Sequence, residues 1–216
     1  MLQSLKQLYG DKLGASDGEI GQVKDFYFDD QTWAVRYLVA DTGTWLDDRQ
    51  VLLAPKAFGH FQETAKILRV NLTRPQIEKS PSIDLHKPVS RQYEEEYHRY
   101  YDWPFYWQAP PAAGSTPANL EPLKNSDARL RSAQAVTGYH IMADDGNSGH
   151  VCDFLMDAKN WTIRQLVVKT GHRFSGKEVE IPVSQVNRIS YDDSTVFVNL
   201  TMAAVEQSPA PLKARD

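Results

Sequence analysis

The sequence predicts a mainly β protein, two small β-barrels in tandem joined by a helical, aromatic- and proline-rich linker. Three observations predict it. The chain repeats itself at a constant offset of 128 positions. Each copy alternates short β-prone runs with turn dipeptides. The stretch between the copies differs from both in composition.

The repeat comes first, because an overlooked duplication misreads a whole fold. Residues 8–53 align with 136–181 without a gap, and 16 of the 46 positions are identical. Unrelated chains of ordinary composition match at about one position in seventeen. The shared residues include Asp17/Asp145, Gly18/Gly146, Gly21/Gly149, Asp25/Asp153, Phe26/Phe154, Trp33/Trp161 and Arg36/Arg164. The offset returns at Val70–Thr73 against Val198–Thr201.

Taken in order, Asp17-Gly18 and Asp145-Gly146 are turn dipeptides. Gln22–Phe28 and Trp33–Ala40 flank the polar Asp29–Thr32, a hairpin pattern. A turn centred on Asp30-Gln31 sets Phe28 opposite Trp33, Phe26 opposite Val35, Val23 opposite Leu38 and Asp25 opposite Arg36. The second copy then pairs Met156 with Trp161, Phe154 with Ile163 and Asp153 with Arg164. Phe26, Phe28, Trp33 and Val35 face the core, and Asp25/Arg36 and Asp153/Arg164 are repeated structural pairs on the other face. Val51–Ala54 and Leu68–Leu72, matched by Val179–Ile181 and Val196–Leu200, supply further short strands. The expected domains are 1–81 and 130–204, with a linker at 82–129 and a flexible tail at 205–216.

Each copy resembles the PRC-barrel domain, the cytoplasmic β-barrel of the H subunit of the bacterial photosynthetic reaction centre. The matching motifs are Asp17-Gly18-Glu19-Ile20-Gly21, Val23-Lys24-Asp25-Phe26, Trp33 with Val35–Val39, and Thr42–Leu46. Val70–Pro81 is similar to the family's exit from the barrel. The resemblance implies a platform for binding other macromolecules, as in the H subunit and in ribosome maturation factors. It leads to the expectation of a non-enzymatic cytoplasmic scaffold with a protein partner. The alternative is an accessory protein of the photosynthetic reaction centre or of quinone-linked electron transport.

The linker begins with Ser90 as an expected N-cap and Glu94–Glu96 at a helix start, read as a solvated face. Tyr93, Tyr97, Tyr100 and Tyr101 share one helical face. Trp103, Phe105, Tyr106 and Trp107 follow, so eight of the chain's 23 aromatics fall within Tyr93–Trp107. From Gln108 to Pro122, Ala, Pro, Gly and Ser dominate, a tether composition. Two readings stand for the aromatic cluster: packing across the barrels or a twofold axis, or an open patch for a partner. A homo-oligomer is expected on the same ground.

The rest is exclusion. Hydrophobic residues at 41% and charged residues at 24% suit a soluble globular chain. A net charge of −4 without a Lys/Arg run speaks against nucleic acid. Cys152 is the one cysteine, too few for a disulfide framework or a Cys-rich zinc site. No apolar run suits a signal peptide or a transmembrane segment. His150 and Cys152 share a strand face but lack further ligands, and Asp144–Asn147 lacks the spacing of a calcium loop. No phosphate loop or nucleophile elbow is found. The expectation is no catalytic residue, no metal and no cofactor.

Overall fold

A computed structural model describes residues 1–47, 49–59, 67–81, 91–106, 130–171 and 176–211, with side chains of 91–93 excepted. The first repeat holds β1 (Leu2–Ser4), α1 (Leu5–Leu8), β2 (Lys12–Ala15), β3 (Gly18–Asp29), β4 (Val35–Asp41), β5 (Gln50–Leu53), β6 (Ile67–Arg69) and α2 (Arg74–Glu78). The linker contributes α3 (Arg91–Tyr100). The second repeat holds β7 (Leu130–Ser132), α4 (Ala133–Val136), β8 (His140–Ala143), β9 (Gly146–Asp157), β10 (Thr162–Lys169), β11 (Glu178–Pro182), β12 (Val186–Ser190), β13 (Thr195–Val198) and α5 (Met202–Glu206). The expected N-cap Ser90, the 108–122 tether and residues 212–216 lie outside the described residues.

These strands form two sheets, in the orders β5-β4-β3-β2-β6 and β11-β10-β9-β8-β13-β12. The remaining two strands cross over. β1 of the first repeat runs antiparallel to β9 of the second, with Leu2 opposite Asp157 and Ser4 opposite Leu155. β7 of the second repeat does the same against β3 of the first, with Leu130 opposite Asp29 and Ser132 opposite Tyr27. Each repeat therefore lends its first strand to the other's sheet.

The hairpin tips reinforce this exchange. Val35 N–H donates to Trp161 O and Ile163 N–H to Trp33 O, both at 2.8 Å. Phe28 packs on Phe154 with ring centroids 5.5 Å apart, and one continuous hydrophobic cluster spans both repeats. Phe26, Phe28, Trp33 and Val35 all lie in it, each at most 7% exposed. Full burial of such a side chain is worth roughly 1.5–3 kcal/mol.

The hairpin register differs from the sequence expectation. The loop is four residues long, Asp30–Trp33, and Trp33 takes φ 59°, in the left-handed region. Asp29 sets it: its carboxylate accepts from Gln31 N–H (3.0 Å) and Thr32 N–H (2.9 Å), and its carbonyl from Trp33 N–H (2.7 Å). With two register shifts along the ladder, Phe28 faces Val35, Phe26 faces Leu38, Asp25 faces Val39 and Val23 faces Ala40. The second copy pairs Met156 with Ile163, Phe154 with Leu166 and Asp153 with Val167. The Asp25/Arg36 and Asp153/Arg164 cross-strand pairs are thus not formed. Phe28 and Trp33 still stack, 5.4 Å apart and 12° from parallel, because the left-handed turn folds the indole back over the strand.

Candidate binding cleft at the junction of the repeats

Helix α3 docks on the outer face of the first sheet through Tyr97, which is fully buried. Its hydroxyl donates to Leu52 O at 2.9 Å and accepts from Ala54 N–H at 3.1 Å. β5 ends the sheet order, so this hydroxyl satisfies backbone groups of a terminal strand. The Tyr97 ring meets Tyr37 edge-on at 5.4 Å and joins a second small core with Val39, Leu52 and Ala54.

Positions 94, 97, 98 and 101 form one helical stripe, and it carries Glu94 and His98 inward beside Tyr97. Glu94 is 2% exposed and His98 6%. Glu94 Oε1 accepts from Tyr37 Oη–H at 3.0 Å and from Tyr106 Oη–H at 2.6 Å. His98 Nδ1 donates to Pro104 O at 3.1 Å, and its Nε2 lies 3.4 Å from Tyr37 Oη. Burial, then the neighbouring Glu94 carboxylate, holds the Tyr37 phenol well above its ordinary pKa. The expectation of a solvated Glu94–Glu96 face is corrected at Glu94, while Glu95 is half-buried and Glu96 exposed.

The helix closes on itself through Trp103 N–H to His98 O (2.9 Å) and Asp102 N–H to Arg99 O (3.2 Å), with Asp102 left-handed at φ 52°. This is a Schellman ending with Asp in place of Gly. It turns Trp103–Tyr106 back toward the sheets. Trp103 stacks on Tyr101 at 4.7 Å, 19° from parallel. Tyr106 lies under the Arg36 guanidinium, 3.9 Å from ring centroid to Cζ.

Between this arm and the hairpin tips lies a cavity of about 760 Å³, lined by Arg36, Lys56, His98, Trp103, Phe105, Tyr106 and Trp161 among others. Its lining carries two formal cations and no carboxylate. Arg36 Nη2 donates to Thr32 Oγ1 (3.3 Å) and lies 3.9 Å from Asp29, while its Nε is buried without a partner among the described residues.

The sequence-expected aromatics therefore divide. Tyr97 is core, Tyr101 and Trp103 are partly buried against it, and Phe105 and Tyr106 reach the cleft. Tyr100 is 39% exposed and donates to Gln76 O at 2.8 Å. The Tyr93 side chain and Trp107 lie outside the described residues. Glu94, His98 and Trp161 were not expected at the site, although the helical spacing of the first two was readable.

The repeated acids serve the strand exchange instead. Asp25 accepts from Ser132 Oγ–H, from Gln134 N–H (3.0 Å) and from Phe26 N–H (2.7 Å). Asp153 accepts from Ser4 Oγ–H, from Lys6 N–H (3.0 Å) and from Phe154 N–H (2.7 Å). Desolvation raises both carboxyl pKa values above the ordinary 3.8, against the hydrogen bonds that lower them. Arg164 is exposed. Cys152 is part-buried, its thiol pushed up to about 12 chiefly by burial.

Among the described residues no group of three or more His, Cys, Asp or Glu could hold a metal ion, and no helix is long and apolar enough to cross a membrane. No family model and no curated protein matches the chain.

Proposed function

We propose that this is a non-enzymatic, cytoplasmic binding or scaffold protein built from two PRC-barrel-like units, and that a protein partner seats in the cleft at their junction. One observation carries the reading. The cleft's aromatic walls are held in place before any partner arrives, because the buried Glu94 fixes Tyr106 while the Schellman turn fixes Trp103. Preorganised aromatic and arginine side chains are what protein interfaces use as anchors. The cavity of about 760 Å³ leaves room for side chains of a partner between these walls. The PRC-barrel resemblance of the repeated motifs supports the same reading.

The test compares the full chain with Phe105→Ala and Trp103→Ala in cross-linked capture from native extract, after near-UV circular dichroism has shown each variant folded. Truncating an anchor costs about 2 kcal/mol or more, roughly thirtyfold in affinity. A partner retained by the wild type and lost to both variants supports the proposal. An unchanged capture profile overturns it.

A further inference from the structure

We propose that the second repeat carries a site for a phosphate-bearing small molecule, formed by His140, Asn147, Ser148, His150 and Lys169. It is independent of the aromatic cleft. The five residues line a cavity of about 860 Å³ beside α5, whose Glu206 is the one carboxylate in the wall.

Internal duplication supplies the argument, because the first repeat shows what the same backbone carries without such a site. Lys12, Gln22 and Asp41 lie opposite one another across β2, β3 and β4. At the same offsets, His140, His150 and Lys169 lie opposite one another across β8, β9 and β10. A row that balances one cation with one anion has become two imidazoles and an ammonium. Directly opposed strand residues hold their Cβ atoms about 4.5–5.5 Å apart, so the three groups converge on one face.

The neighbours change in the same sense. Glu19 forms an ion pair with Lys12 at 3.2 Å, and its counterpart is the neutral Asn147. Asn147 Oδ1 accepts from Gly149 N–H at 3.0 Å, which turns Nδ2 toward His140 Nδ1 at 3.3 Å. Nδ1 is then the acceptor, and the donor proton of neutral His140 sits on Nε2. Among the described residues Lys169 makes no ion pair, although Glu178 lies across from it on β11.

Ser148 is the fifth change. Its counterpart Ile20 is fully buried core. Ser148 is 7% exposed, and its buried hydroxyl has no hydrogen-bond partner among the described residues. Leaving such a group unpaired is unfavourable, and a ligand oxygen that reached it would supply the missing partner. Gly149 permits the geometry. At φ +130°, a Cβ there would sit 2.1 Å from Lys169 O, so only glycine lets β9 pass this close to the end of β10. A hydroxyl, two imidazoles and an ammonium match the several terminal oxygens of a phosphate. The remaining volume takes the body that bears it.

The experiment titrates the full chain with inorganic phosphate at constant ionic strength and follows the ring resonances of His140 and His150 by NMR. Ser148→Ile and Lys169→Asp, the residues of the first repeat, are the controls. Saturable millimolar binding that shifts both histidines, weakened at least tenfold in each folded variant, supports the site. Ser148→Ile should melt no lower than the wild type, which separates loss of the ligand from loss of the fold. No saturable shift in the wild type, or equal binding by either variant, overturns the proposal. An equal response to acetate overturns the assignment to phosphate.

Discussion

Ser132 donates its hydroxyl proton to Asp25, a carboxylate 107 positions earlier in the chain and in the other repeat. The same pair recurs as Ser4 and Asp153. Each serine also caps its own short helix, accepting from Ala135 N–H (2.9 Å) and Gln7 N–H (3.1 Å) respectively. Each aspartate then receives the next free N–H of that helix. The first turn of each repeat is thus held by a carboxylate from the other. Asp25→Ala leaves the Ser132 hydroxyl and the Gln134 and Phe26 N–H groups without that acceptor. Urea unfolding of the variant should show a loss of about 2–3 kcal/mol.

The same carboxylates should shape the dependence of stability on pH. A carboxyl whose pKa is raised on folding binds more protons in the native than in the unfolded state. Its contribution is therefore greatest at acid pH and declines as pH rises from about 4 through the folded pKa. Asp25→Asn with Asp153→Asn removes this dependence. The stability of the wild type relative to that double variant should fall as pH rises above about 4. A constant difference, measured by urea titration, would show that desolvation does not govern these groups.

Tyr97→Phe keeps the ring and deletes one oxygen. Leu52 O and Ala54 N–H then lose their shared partner in a buried setting. We expect about 1–3 kcal/mol of destabilisation in chemical denaturation, from the unpaired backbone groups rather than from lost packing.

Strand exchange makes a prediction about the severed chain. With a protease site inserted after Pro111 and cut in the folded protein, the two fragments should stay together in gel filtration near the mass of the intact 24.5 kDa chain. β1, β7 and the shared core hold them. Elution as two smaller species under native conditions would contradict this arrangement.

Much of the fold was legible in the residues, and what escaped did so for definable reasons. The inward face of the first hairpin was readable because alternation along a strand directly reports burial, and Phe26 and Phe28 are fully buried. The register was not. A tryptophan at φ 59° carries no local signal, and counting across Asp30-Gln31 assumed a two-residue turn where four residues intervene. The exchanged strands are only three residues long, too short to show any periodicity. At the cleft the tyrosine stripe was visible, but the acidic run Glu94–Glu96 hid the fact that Glu94 shares that stripe. Charge suggested solvent, and two phenols made burial possible.

The exchange also sets an order of events during synthesis. Tyr27, Phe28 and Asp29 leave the ribosome about a hundred residues before their partners Ser132, Arg131 and Leu130 exist. At translation speeds of about 5–20 residues per second that interval lasts several seconds or more, far longer than hairpin formation. The nascent first half must wait with one flank of β3 unpaired and Asp25 lacking its serine. Its completion belongs to the moment the second half begins to emerge.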